Sequence, residues 1–303
     1  MNERLASRFL DLRALSALEP MRFTTRRRVE GTYMGYHASR QLGGSGEFVD
    51  FREYTGGEDL RRLDWKVLAR TGKAIVRLHE EETDLSCTLA IDASGSMRFG
   101  AAGRRDATGS KLEYVQYLAT ALSHVISRGQ DQVGLAVLND ALDSWIGPGA
   151  TMSHIERLQQ VIEGIATHPS PRMAGGLREL FERCRRRGAL LLMSDFLMDD
   201  LEEVFAALRL FRHRGWDVVV LHVVHPDEER LPDGTAYRFE GMENDGQVSC
   251  SPAEVCTAYR ERFAAHLAMV RQWALAGGCE YRRVSTAVSY LQTLGGFLVA
   301  RAG

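Results

Sequence analysis

Little in this sequence points to redox, membrane or nucleic-acid chemistry. Its 303 residues hold five scattered cysteines, Cys87, Cys184, Cys250, Cys256 and Cys279. They are odd in number and contain no C-x-x-C pair, which argues against a disulfide frame or zinc site and fits reduced thiols. No apolar run, Ala189 to Met193 included, approaches the ~20 residues that cross a bilayer. The opening Met1-Asn2-Glu3-Arg4 stays interrupted by charge, with no secretory apolar core, so a cytoplasmic location is expected. Lysine plus arginine number 38 against 40 acidic residues, a net charge of −2. That leaves no overall basic field for a phosphate backbone, and no nucleic-acid partner is expected. Gly43 to Gly46 lacks the lysine and the following helix of a phosphate-binding loop. Ser94 is preceded by Asp92-Ala93, where a nucleophile elbow requires glycine.

What is present is ordinary globular material, 45% hydrophobic and 26% charged, long enough for about two domains of ~150 residues. Leu5, Phe9, Leu12, Leu15 and Leu18 fall at helical spacing and predict an amphipathic helix ending before Pro20. Short strands and turns are expected from Tyr33 to Tyr54, after Arg26-Arg27-Arg28. Gly56 to Asp59 reads as a turn entering a helix whose buried face is Leu60, Leu63, Val67 and Leu68 and which ends near Thr71-Gly72. A strand from Ala74 to Leu78 closes this element at Glu80-Glu81-Glu82. Residues 1–82 are therefore expected to form an N-terminal α+β element, and residues 83–303 a larger domain.

From residue 84 strands and helices alternate. Near-continuous apolar runs at Leu85–Ile91, Val133–Leu138, Ala189–Met193 and Val218–Val224 are the pattern of strands covered on both faces. Helices are expected at about 112–126, 152–166, 176–187 and 201–213. This predicts an α/β fold with a mostly parallel sheet between two helix layers. The region 225–277 interrupts the alternation with a hairpin around Gly241–Gly246 and a long helix from about 252 to 276. A strand from Cys279 to Val284 and a helix over 287–300 complete the sheet.

The segment Ile91-Asp92-Ala93-Ser94-Gly95-Ser96-Met97 follows a buried strand. It places one carboxylate and two hydroxyls at the sheet's carboxyl edge, where open α/β sheets bind ligands. Ser194-Asp195 ends another strand and brings a second carboxylate to that edge. Hard oxygen donors of this kind suit magnesium, so Asp92, Ser94, Ser96 and Asp195 are the candidate metal residues. The competing reading is that Asp92 caps the next helix and the serines satisfy turn amides. His222 and His225 straddle a strand end at an odd separation, which points them to opposite faces and away from a shared metal. Arg185 to Arg187 reads as a solvated face.

Asp92-Ala93-Ser94-Gly95-Ser96 resembles the metal-ion-dependent adhesion site of a von Willebrand factor A-type domain. The stretch Gly46-Glu47-Phe48-Val49-Asp50-Phe51-Arg52-Glu53-Tyr54, then Arg62-Leu63-Asp64-Trp65-Lys66 and Ala69-Arg70-Thr71-Gly72, resembles the bacterial domain-of-unknown-function 58 family. The likeness continues through Tyr237 to Glu240 and Tyr259 to Arg262. It implies a von Willebrand A-like doubly wound sheet. It also implies a magnesium held by Asp92, Ser94, Ser96 and Asp195, and a partner among the MoxR-type AAA+ ATPases encoded beside such proteins. That site expects a threonine before the helix at 176–187. The loop Pro169 to Gly176 has none, with Pro171 in its place and Ser170 or Thr167 as substitutes only after a loop shift.

The charged cluster of Arg52, Arg62, Asp64 and Lys66 around Trp65 has two open readings: an ion-paired joint anchored by the indole, or a partner-docking face. The function expected is a non-catalytic adaptor or assembly co-factor, its metal bridging to a partner's carboxylate. The alternatives are a scaffold with a vestigial metal site and a metal-dependent hydrolase. No histidine or glutamate stands in either strand-end loop as the base a hydrolase needs.

Overall fold

The computed structural model describes residues 7–18, 20–25, 38–39, 47–54, 65–82, 85–100, 109–170, 172–231, 236–243 and 245–302, with backbone alone at 38–39, 47–53, 76–82 and 302. Arg26 to Arg28, Gly43 to Gly46, Gly56 to Asp59, Arg62, Asp64 and Pro171 lie outside them. The chain forms two compact units, Met1–Arg27 with Ser86–Gly303, and Arg28–Leu85.

The chain's start thus belongs to the larger unit, whereas the sequence reading placed everything up to residue 82 in one N-terminal element. Apolar burial and an arginine explain the difference. Phe9 packs edge-on against Tyr117 at 4.8 Å, and Phe23 packs against Phe297 at 6.1 Å. Arg128 donates to the carbonyls of Leu18 and Met21, both at 3.0 Å. The expected long first helix is reduced to α1 (Leu12–Leu15) and a 3-10 turn at Ser16–Leu18. Asp11 accepts the Ala14 amide at 3.0 Å and starts the helix there.

The smaller unit holds β1 (Ala38–Ser39), β2 (Glu47–Glu53), α2 (Trp65–Thr71) and β3 (Ile75–Glu82). Its antiparallel sheet has the order β1-β3-β2. Gly72, at φ +67°, gives α2 the left-handed stop that glycine supplies without strain. The strand β3 runs on through Glu80-Glu81-Glu82, beyond the expected end at Leu78.

The larger unit alternates as expected: β4 (Ser86–Asp92), α3 (Lys111–Arg128), β5 (Gln132–Leu138), β6 (Leu142–Gly149), α4 (Met152–Glu163), α5 (Ala174–Arg183), β7 (Ala189–Ser194), α6 (Leu201–His213) and β8 (Asp217–Val224). A short helix α7 (Pro226–Glu229) precedes the hairpin β9 (Tyr237–Glu240) and β10 (Gln247–Cys250), followed by α8 (Pro252–Ala276), β11 (Glu280–Ser285) and α9 (Tyr290–Ala302). The sheet order is β11-β8-β7-β4-β5-β6. Every pairing is parallel except that of β5 with the edge strand β6. This is the von Willebrand A-like architecture the resemblance implied.

Ala90 of β4, Leu192 of β7 and Val220 of β8 share one buried layer with Leu177 and Leu180 of α5, Phe205 and Leu208 of α6, and Val270 of α8. On α3, Tyr114 meets Thr293 of α9 at 2.7 Å, and Gln116 donates to the Ile162 carbonyl of α4 at 2.7 Å. The chain proceeds from β4 outward through β5 and β6, then returns to β7 and goes the other way. The order therefore reverses between β4 and β7, and the crevice outside their carboxyl ends is the place where open sheets bind ligands. Asp92 ends β4 and Asp195 follows β7, so both carboxylates flank that crevice.

Candidate functional site

Asp92 is fully buried and both of its oxygens are engaged from within. Oδ1 accepts the Ser94 amide at 2.8 Å, and Oδ2 accepts the Ser194 hydroxyl at 2.5 Å. Ser194 in turn accepts the Phe196 amide at 2.9 Å, so the ends of β4 and β7 are tied through one hydroxyl. The Ser94 and Ser96 hydroxyls stand 3.1 Å apart. Burial pushes the Asp92 carboxyl up to about 7, with the Asp195 charge adding to the effect and the hydrogen bonds from Ser194 and Ser94 opposing it.

Asp195 has a different partner. Its Oδ2 lies 2.5 Å from the ammonium of Lys111, which also pairs with Glu228, while Oδ1 accepts the Leu197 amide at 3.0 Å. Lys111 is the first residue of α3 and is 0% exposed. Burial alone would lower its basicity, but the two carboxylates outweigh burial and hold the ammonium above its usual range. The Asp195 carbonyl accepts from Nε2 of His222 at 3.0 Å, and Nδ1 of the same ring lies 3.0 Å from the Tyr281 hydroxyl. Burial first, and then the neighbouring His266, push His222 down to about 3, so it is a neutral ring that orients the Asp195 loop. His225 instead caps α7, accepting the Asp227 amide at 3.2 Å.

A fourth carboxylate reaches the rim from the hairpin. Oε1 of Glu243 accepts the Ser96 amide at 2.6 Å, and its Oε2 is buried with no hydrogen-bond partner among the described residues. The approach depends on Gly95, where a Cβ would stand 2.3 Å from the Met242 carbonyl oxygen. Burial pushes the Glu243 carboxyl up, against the pull of the Ser96 amide.

The model of the family described as protein of unknown function DUF58 matches residues 50–272. The chain belongs to the DUF58 family. An uncharacterised protein of Mycobacterium tuberculosis is 27% identical over 231 residues, covering 74% of this chain and 69% of the relative. Among solved structures, BatB from Bacteroides thetaiotaomicron is 17% identical with a TM-score of 0.47, covering 72% of this chain and 98% of that one. The SpRpn10 von Willebrand A domain is 9% identical with a TM-score of 0.39, covering 70% of this chain and 94% of that one.

The four residues carried over from the adhesion site do come to one rim, but both carboxylates are hydrogen-bonded from within and Asp195 is already paired with the Lys111 ammonium. Asp195 gives one oxygen to an ammonium and the other to an amide, and Asp92 gives its two to an amide and a hydroxyl. What remains is a pair of neutral serine hydroxyls bonded to each other. Among the described residues, no three His, Cys, Asp or Glu side chains are placed to hold one ion. A magnesium ion requires near-octahedral oxygen coordination, and the residues as arranged do not fit it. Ser170, the substitute for the absent threonine, gives its hydroxyl to Asp140 and is not free to join the rim.

In the stretch that carries the DUF58 likeness, Trp65 is 58% exposed, and no described residue of α2 is buried. Lys66 is exposed as well, Arg62 and Asp64 lie outside the described residues, and only the backbone of Arg52 is described.

The sequence reading missed Lys111, Glu228 and Glu243. Lys111 precedes the apolar stripe that marks α3, and a lone lysine beside a helix start carries no motif. Glu228 follows a Pro-containing turn, and Glu243 sits within a hairpin turn, where acidic residues are common for solubility alone. The available signal was physical: a lysine in the first turn opposes the helix dipole by about 0.3–1 kcal/mol, which calls for a compensating partner.

Proposed function

We propose that this chain is a non-catalytic protein-interaction module, an adaptor or assembly co-factor, whose docking surface is the rim outside β4 and β7. The observation that carries the reading is Glu243. A carboxylate from a separate hairpin is bound on the Ser96 amide, so the rim takes an acidic side chain, and one of its oxygens is left without a partner among the described residues. An acidic side chain of a partner protein would compete for the same amide once the hairpin moves aside. The hairpin strands are largely exposed, so little apolar burial opposes that movement.

The family resemblance supports a MoxR-type AAA+ ATPase as the partner class. Nucleotide chemistry would belong to that partner, because this sequence has no phosphate-binding loop. An enzymatic reading has less support. Asp92 is hydrogen-bonded through both oxygens, Lys111 is sealed in an ion pair, and His222 is a neutral ring with both nitrogens engaged. A second reading, a scaffold whose adhesion site has decayed, is favoured by the pairing of Asp195 with Lys111.

Recovery of the neighbouring ATPase on the immobilised full chain separates these readings. Docking at the rim predicts several-fold stronger recovery with Glu243→Ala, which vacates the Ser96 amide. Equal recovery for Glu243→Ala and the unaltered chain contradicts docking there. The exposed α2 surface around Trp65 would then be the next candidate.

A further inference from the structure

Lys111 has no role in the adhesion-site pattern, and its position is unfavourable on local grounds. It opens α3, where the helix dipole repels a cation, and it is wholly removed from water. A buried ammonium persists only when paired and hydrogen-bonded. Here Asp195 from the end of β7 and Glu228 from α7 both bind it, and the Phe99 ring lies 5.5 Å from its Nζ. Its backbone amide donates to the Phe99 carbonyl at 2.9 Å, which fixes the helix start beside the Asp92 loop. The Glu228 carboxylate also accepts the His225 amide at 2.8 Å, and the Glu228 carbonyl accepts the Tyr259 hydroxyl at 2.6 Å. The second carboxylate is thus as firmly placed as the first.

We propose that Lys111 is a built-in cation that takes the place of the divalent metal at this site, so that the rim is assembled and held by an ammonium without a bound ion. The carboxylate that would ligate a metal, Asp195, is neutralised from within the chain. The end of β7, the helix α7 and the start of α3 are joined through a single nitrogen. The site then carries its charge compensation permanently, and rim geometry does not vary with free magnesium. This inference concerns how the site is held together and stands whether or not the partner proposed above is the right one.

Manganese is the probe, read by the electron paramagnetic resonance signal of the free ion against the full-length chain. The unaltered protein should leave Mn2+ free at equimolar concentrations. Its melting temperature should be the same in chelator and in millimolar magnesium. Lys111→Ala leaves Asp195 and Glu228 facing an ammonium-sized vacancy; it should bind about one Mn2+ and regain stability with magnesium. Lys111→Arg, which keeps the charge, should behave like the unaltered chain. One equivalent of Mn2+ bound by the unaltered protein and released by Ser96→Ala would overturn the proposal. A folded Lys111→Ala that binds no Mn2+ would also overturn it, since the lysine would not then occupy a cation's place. The measurement on the unaltered chain needs no variant, so it stands even if Lys111→Ala does not fold.

Discussion

Lys111 and Asp195 lie 84 positions apart in the chain and meet with Nζ 2.5 Å from Oδ2, both side chains shielded from water. This one contact links the start of α3 to the end of β7 across the crevice where the strand order reverses.

Removing only the ammonium strands two buried carboxylates. Lys111→Met should therefore cost about 3–5 kcal/mol of unfolding free energy, the usual penalty for breaking a buried pair from one side. Neutralising all three partners, as Lys111→Met with Asp195→Asn and Glu228→Gln, should recover most of that loss. Urea denaturation followed by circular dichroism checks both values. A single variant as stable as the unaltered chain would mean the pair contributes nothing.

The second buried ionic cluster lies at the opposite edge of the sheet. Arg301 of α9 pairs with Asp217 and Glu280, at the starts of β8 and β11, and donates from Nε to the Thr24 carbonyl at 2.6 Å. Arg301→Met should also cost about 3–5 kcal/mol. Because Thr24 belongs to the N-terminal segment, that segment should lose amide protection in hydrogen exchange. Unchanged protection at residues 21–25 would contradict the arrangement.

Asp92 ties stability to pH. Its carboxyl titrates at about 7 in the folded chain against an ordinary 3.8, so the folded state holds the proton more tightly than the unfolded state does. Well below pH 3.8 both states are protonated and nothing is lost. As pH rises from 4 to 7 the unfolded state ionises first and folding weakens, by up to about 4 kcal/mol at 1.36 kcal/mol per pKa unit. Asp92→Asn lacks this penalty. It should be more stable than the unaltered chain at pH 8 and nearly equal to it at pH 3, as thermal melts at the two values would show. A constant difference across that range would contradict a raised Asp92.

Much of this fold was legible because its determinants are local. The apolar run Leu85–Ile91 and the stripe from Leu112 to Ile126 announce a covered strand and its helix without reference to any other segment. The hairpin and the long helix after residue 250 were equally readable from Gly241–Gly246 and the helical run from Pro252. Asp92 and Asp195 were found because each lies at the carboxyl end of a strand. Their true partners were not. Lys111, Glu228 and Glu243 acquire meaning only from tertiary contacts across 84, 117 and 147 positions, and pairwise charge carries no periodic signature. The first helix was overestimated because leucine spacing does not show where a cap such as Asp11 will start the turn.

Gly95 should govern the hairpin. A methyl group there collides with the Met242 carbonyl, so Gly95→Ala should push the turn outward and release Glu243 from Ser96. Limited proteolysis should then cut within residues 236–250 at least several-fold faster, with the parallel sheet still protected in hydrogen exchange. An unchanged cleavage rate would mean the turn is not seated on Gly95.

The most direct test of an ammonium-held rim is a crystal structure grown in millimolar manganese, with anomalous difference density measured at the manganese edge. The account predicts no peak beside Ser94 and Ser96, and Lys111 Nζ seated between Asp195 and Glu228. A peak bridging the serine hydroxyls and Asp195, with the lysine displaced, would contradict it.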